Sequence, residues 1–168
     1  VHGNEPGHHI PYLYNWCGKP WKTQEKVRMI MGAMYGPGPD GLCGNDDCGQ
    51  MSAWYLFSAL GFYPVTPGQD IYAIGTPFFE EATIRLENTG TFTVKAENVS
   101  ARNIFIQSAK LNGRPYSKSS LRHDDIMAGG ELVCVMGSEP NKSWGTAADD
   151  IPRSSITATP LLPTPRVT

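Results

Sequence analysis

Residues 41–64 read GLCGNDDCGQMSAWYLFSALGFYP. Two adjacent acids, Asp46 and Asp47, lie between Cys43 and Cys48 in a glycine-rich turn, with no lysine or arginine nearby to neutralise them. A strongly apolar run follows. Met51, Trp54, Tyr55 and Ser58 share one helical face, and Ala53, Phe57 and Leu60 cover another. The spacing predicts a helix that begins near Cys48, ends at Gly61 and is apolar nearly all round, which suits the interior of a substantial helical body. Asp47 stands three residues before Gln50, a variant of the capping box that would put Asp47 at the N-cap. Capping does not account for Asp46 or for the missing basic partner. A carboxylate at the mouth of a buried helix, in a turn open to close ligand approach, is also well placed for a general base. Both readings stand at this point.

Upstream, HHIPYLYNWCG predicts a helix with Pro11 near its start and Gly18 at its end. In PWKTQEKVRMIMGAMYGPG, Val27, Ile30, Met31 and Met34 recur at helical spacing and Gly36-Pro37 stops the run. Before these lies VHGNEPGHH. Asn4 and Glu5 offer side-chain oxygens from a turn, which suits a hard cation such as calcium; the plain alternative is a turn with polar helix-entry groups. A zinc set of His8, His9, Cys43 and Cys48 can also be drawn, although C-x4-C beside adjacent histidines is not the usual zinc spacing. Cys43 and Cys48 are close enough to close a small disulfide ring, which would suit an oxidising compartment. The triplets Asn98-Val99-Ser100 and Asn141-Lys142-Ser143 lean the same way, towards secretion.

After Phe62 the pattern changes to period-two and β-branched runs: IYAIG, ATIRLEN, TFTVKAEN, NIFIQSAKLNG and GELVCVM, with Asn112-Gly113 as a tight-hairpin signal. The chain therefore reads as α+β, with helices over 1–62, a small antiparallel sheet over 63–137, and an irregular, unpacked tail over 138–168 that is rich in Pro, Ser and Thr. The 18 glycines and 14 prolines agree with short elements and many turns. A net charge of −2 leaves no polybasic footprint for nucleic acid, and no apolar run is long enough for a membrane span. No Ser–His–Asp arrangement, P-loop or dinucleotide fingerprint is present. Three helices cannot enclose one that is buried on all sides, and the chain starts at Val1, so we expect a piece of something longer.

HGNEPGHHIPYLYN, PWKTQEKVR, PDGLCGNDDCGQMSAWYLFSALGFYPV, YAIGTP at 72–77, IFIQSAKLNG and PNKSWG together resemble, in order, the C-terminal part of glycoside hydrolase family 92. The likeness runs from Val1 to about Gly145 and is absent from the last two dozen residues. It implies a fragment of a two-domain enzyme, a β-sandwich followed by an (α/α)6 helical toroid, acting as a calcium-dependent exo-α-mannosidase on mannose-containing glycans, with α-1,2 linkages expected. It further implies hydrolysis with inversion, one carboxylic acid protonating the leaving oxygen and a carboxylate activating water about 6.5–9.5 Å away. By this resemblance Asp47 is the base, with Asp46 in support, and the general acid belongs to a segment upstream of Val1. Many members carry a further acid where this chain has Asn45. Asn4 and Glu5 carry over as metal contacts under the sugar ring, and His2, Glu5 and His8 as substrate contacts. The fragment alone is expected to be inactive. The rival reading is a non-catalytic carbohydrate-binding or structural module, which would have no reason to bring the turns at 2–9 and 44–50 together.

Overall fold

A computed structural model describes residues 2–87 and 89–153 of the 168-residue chain. It is α+β. The N-terminal segment does not form the expected helix over 11–18. Instead, short 3-10 turns at Glu5–Gly7 and Ile10–Tyr12 lead into further turns that end at Gly18, where φ is +63°. Residues three apart eclipse in such a turn, and this is how Tyr12 and Asn15 both point inward. Both are fully buried, and the Asn15 amide donates to the carbonyls of Ile74 (2.8 Å) and Ser119 (2.7 Å).

Helix α1 spans Pro20–Met34 and buries Val27, Ile30 and Met31 as its spacing predicts. Helix α2 spans Gln50–Leu60, two residues later than the sequence suggests, and stops at Gly61 in the left-handed region (φ +101°). It buries Met51, Trp54, Ser58 and Ala59 but leaves Leu56 58% exposed, so it is not covered all round by this chain. Tyr12, Val27, Ile30, Met31, Trp54, Ala59, Tyr63 and Ala73 form the helical core.

The strands that follow are β1 (Phe62–Tyr63), β2 (Ile71–Ile74), β3 (Glu81–Arg85), β4 (Thr91–Glu97), β5 (Phe105–Leu111), β6 (Arg114–Pro115), β7 (Ser120–Arg122) and, after the short helix α3 (His123–Met127), β8 (Gly130–Gly137). They make two sheets, in the orders β1-β2-β7 and β3-β4-β8-β5-β6. The β5–β6 hairpin turns at Asn112 and Gly113, both at positive φ, as the Asn-Gly pair predicts. The second sheet is mixed rather than purely antiparallel, because β8 pairs parallel to β4 and antiparallel to β5. The order forces this: a strand inserted between two strands that run in opposite directions must run parallel to one of them.

The chain beyond β8 is irregular but packed, at least to Arg153, contrary to the unpacked tail expected. Trp144 is 7% exposed, lies in the sheet core with Phe92, Leu132 and Met136, and donates its indole N–H to the Tyr116 carbonyl (3.1 Å). Residues 154–168 of the expected tail lie outside the described residues. Among the described residues no helix is long and apolar enough to cross a membrane.

Candidate active site

The turn before α2 assigns its two acids differently from the capping-box reading. Cys48 (φ +53°) and Gly49 (φ +77°) are consecutive left-handed residues, so the helix begins only at Gln50, with Gly49 as its N-cap residue. Asp47 is therefore not the N-cap residue and makes no side-chain capping bond. That correction hands the role to Asp46. The double left-handed step folds Asp46 back over the helix start, where its carboxylate accepts from the Ser52 N–H (2.9 Å) and the Ser52 hydroxyl (2.6 Å). These bonds, the hydroxyl first, hold the Asp46 pKa below its ordinary value of 3.8. Asp47 is exposed, and among the described residues nothing hydrogen-bonds or ion-pairs with its carboxylate. One acid is tied to the helix while its neighbour is displayed to solvent.

Gln50, freed from a capping role, turns inward. Its amide N–H2 donates to His8 Nδ1 (3.2 Å) and to the Tyr63 hydroxyl (3.0 Å). His8 Nδ1 is thereby an acceptor, so His8 carries its proton on Nε2 and donates it to the His2 carbonyl (2.9 Å). The same logic fixes His2. Tyr35 donates its hydroxyl to the Met51 carbonyl (3.2 Å), so the 2.6 Å contact between His2 Nε2 and Tyr35 is an N–H donated by His2. Burial, with His8 stacked 4.7 Å away as a second cause, pushes the His2 pKa down to about 4 and keeps the ring neutral. Trp54 closes this cluster, edge-on to His2 at 4.2 Å, with its indole N–H on the His8 carbonyl (3.0 Å).

The two polar turns do converge. A Cβ on Gly3 would lie 2.7 Å from the Cys43 carbonyl, and one on Gly44 would collide with the Gly3 carbonyl, so the backbones touch where only glycine fits. The structure thus brings His2, His8 and the Asp46–Asp47 turn into one unit. A cleft of about 480 Å³ lined by Tyr35, Gly36, Pro37, Leu42, Ser52 and Tyr55 lies beside it on the Ser52 side; Asp47, Asn4 and Glu5 are not part of its lining. His2 and His8 are both buried in the aromatic cluster, so they support the turn and are not laid open to a ligand as whole side chains.

Asn4 is exposed and Glu5 half-buried, and the side-chain oxygens of both are without protein hydrogen bonds among the described residues. They are hard donors of the class calcium takes, but calcium needs about six to eight oxygens. No group of three His, Cys, Asp or Glu residues is assembled for a metal among the described residues. This chain therefore fits a calcium ion only as a contributor of part of its shell. The zinc set fails, because His8 is committed to Gln50 and the His2 carbonyl and no such cluster forms with Cys43, Cys48 and His9. Cys43 and Cys48 are exposed free thiols here, not the expected disulfide; the turn is instead held by the Gly3–Gly44 contact and the Asp46–Ser52 bonds.

Sequence reading gave Gln50 only a capping role and missed Ser52, Tyr35 and Tyr63. A polar residue on an otherwise apolar helix was the available signal for Gln50 and Ser52. Nothing local marks Tyr35 and Tyr63, which reach the cluster from sequence separations of 33 and 13 residues.

The family model for the glycosyl hydrolase family 92 catalytic domain matches residues 1–138. A protein of Arthroderma benhamiae named an uncharacterized secreted glycosidase is 36% identical over 155 residues, covering 90% of this chain and 20% of that protein. A family 92 alpha-mannosidase of Bacteroides thetaiotaomicron superposes with a TM-score of 0.88 at 46% identity, over 91% of this chain and 21% of that one. The same mannosidase is also solved in complex with mannoimidazole, with a TM-score of 0.89. A family 92 inverting mannosidase of Bacteroides thetaiotaomicron VPI-5482 gives 0.86 at 46% identity, over 91% and 21% of the two chains. The chain spans about a fifth of the length of these relatives.

Proposed function

The chain belongs to glycoside hydrolase family 92, and on that premise we propose that it is the C-terminal portion of a secreted, inverting exo-α-mannosidase that removes terminal mannose, α-1,2-linked, from glycans. Its helices would form part of an (α/α)6 toroid completed by the upstream chain. The exposed Ile10, Leu13, Met29 and Leu56 are apolar groups of the kind such neighbours would cover. In this reading Asp47 is the general base. Its carboxylate takes a proton from water as the water oxygen bonds to the anomeric carbon, on the face opposite the leaving oxygen. The anomeric C–O bond breaks, and an upstream carboxylic acid protonates the departing oxygen.

Asp46 would fix the turn through Ser52, and the stacked His2–His8 pair would hold the Asn4–Glu5 turn against it. Asn4 and Glu5 would hold calcium from this side. Bound there, the ion would supply positive charge to orient and polarise the sugar hydroxyls.

The observation that carries the reading is the Asp47 carboxylate: among the described residues it has no protein partner, beside a neighbour that is doubly bonded to the helix. The experiment is proton NMR of the full-length parent acting on an α-mannoside. β-Mannose should appear first and mutarotate afterwards, while the 168-residue chain alone releases none. Initial α-mannose, or release by the isolated chain, would overturn the proposal.

A further inference from the structure

The two Asn-x-Ser triplets are treated in opposite ways by the fold. Both ends of the Asn141 carboxamide are consumed. Its N–H2 donates to the Gln107 carbonyl on β5 (2.8 Å), and its oxygen accepts from the Ser143 N–H (2.9 Å), the Ser143 hydroxyl (2.7 Å) and the Trp144 N–H (3.2 Å). This turn places Trp144 in the sheet core and sets the Asn141 nitrogen against β5, where a bulky substituent would crowd the strand.

Asn98 is the reverse. It is exposed, immediately follows β4, and sits at φ +64°, a conformation asparagine tolerates better than most residues. The loop is closed by other groups. Asn103 donates its side-chain amide to the Asn98 carbonyl (2.9 Å), and the Ser100 hydroxyl oxygen accepts from the N–H groups of Arg102 (3.2 Å) and Asn103 (2.9 Å). The Asn98 carboxamide itself has no protein partner among the described residues. In the folded chain its nitrogen meets no competing protein acceptor among the described residues, whereas the Asn141 amide is engaged with β5.

We propose that Asn98 is an N-glycosylation site and that Asn141 is a structural turn that is not modified. The acceptor is the Asn98 carboxamide nitrogen, and the donor is an oligosaccharide carried on a lipid pyrophosphate. The nitrogen bonds to the anomeric carbon, the anomeric C–O bond breaks, the lipid pyrophosphate leaves, and the amide proton passes to a base of the transferase. This assignment is independent of the hydrolase reading.

The test is secretion of the full-length parent from yeast, followed by peptide mapping after peptide N-glycosidase treatment in heavy-oxygen water, which labels each formerly glycosylated asparagine. A co-secreted reporter glycoprotein serves as the control. The label is expected on the peptide containing Asn98, in most molecules, and not on that containing Asn141. Asn98→Asp keeps a residue that accepts positive φ and should abolish this label. Asn141→Asp should leave it unchanged while lowering the melting temperature. Unmodified Asn98 in secreted parent alongside a glycosylated reporter, or a label on Asn141, overturns the proposal.

Discussion

Replacing Asp47 by Asn in the full-length parent separates catalysis from architecture, because the structure gives the helix-binding role to Asp46. Among the described residues the Asp47 carboxylate holds no protein hydrogen bond, and α2 is started by Gly49 and by the Asp46–Ser52 pair. Asn has almost the same shape, so stability should change by no more than about 0.5 kcal/mol, as for a surface substitution away from caps and cores. As a base, Asp47 contributes a proton acceptor that Asn lacks. Loss of a positioned base lowers turnover by on the order of 10² to 10⁴, which is roughly 2.7–5.5 kcal/mol of barrier. Asp46→Asn should behave oppositely. It keeps an oxygen for the Ser52 N–H but puts an N–H2 group against the Ser52 hydroxyl and removes a negative charge from the start of a helix. The melting temperature should fall and turnover should fall less than in Asp47→Asn. The assays are initial rates on an aryl α-mannoside and thermal melts of both variants. Near-normal turnover in a folded Asp47→Asn parent would refute the base assignment. A larger melting-temperature loss in Asp47→Asn than in Asp46→Asn would refute the division of roles between the two acids.

Further outcomes follow from the same geometry. Asn15→Ala removes the donor that joins two buried backbone carbonyls, so denaturant unfolding of the parent should show a loss on the order of 2–4 kcal/mol; a loss below about 0.5 kcal/mol would show that the bridge is redundant. The folded state holds the His2 pKa near 4 against an ordinary 6.5, so the unfolded chain binds a proton that the folded one refuses. This contribution is flat above pH 6.5 and turns destabilising as pH falls towards 4, and His2→Gln should not lose stability over that window; parallel pH–stability curves for the two proteins would contradict it. Exhaustive chelation should abolish mannoside turnover by the parent and added calcium should restore it, whereas full activity in chelator would remove Asn4 and Glu5 from any metal role.

The composition of the chain and the spacing of its apolar residues determined much of this protein. Val27, Ile30 and Met31 marked the buried face of α1, Gly61 marked the end of α2, and Asn112-Gly113 marked a hairpin whose two central residues both take positive φ. These are local matters: a period matched to 3.6 or 2, or a residue that tolerates a particular φ. The segment containing Asp46 and Asp47 was legible as a candidate site for the same reason, since two acids without a counter-ion beside an apolar helix are unusual in any fold.

Which of those acids does what was not legible. The capping rule assumes that the helix starts where the apolar run does, and two left-handed residues, Cys48 and Gly49, moved that start and exchanged the roles. The segment 11–18 became turns rather than a helix because Asn15 answers to backbone carbonyls about 60 and 100 residues away, and Tyr12 to the Ser58 hydroxyl on α2, through bonds worth more than the local propensity. The parallel pairing of β8 with β4 depends on strand order, which period-two alternation does not encode. Gln50 gained its role from His8, 42 residues earlier, and from Tyr63, which lies one strand beyond its own helix. Short-range sterics and hydrophobic period are written into the chain residue by residue, whereas the partner of a buried polar group is chosen only when distant segments meet. That is why the sequence marked the segment that carries the two acids, and the tertiary structure decided which of them is bound to the helix.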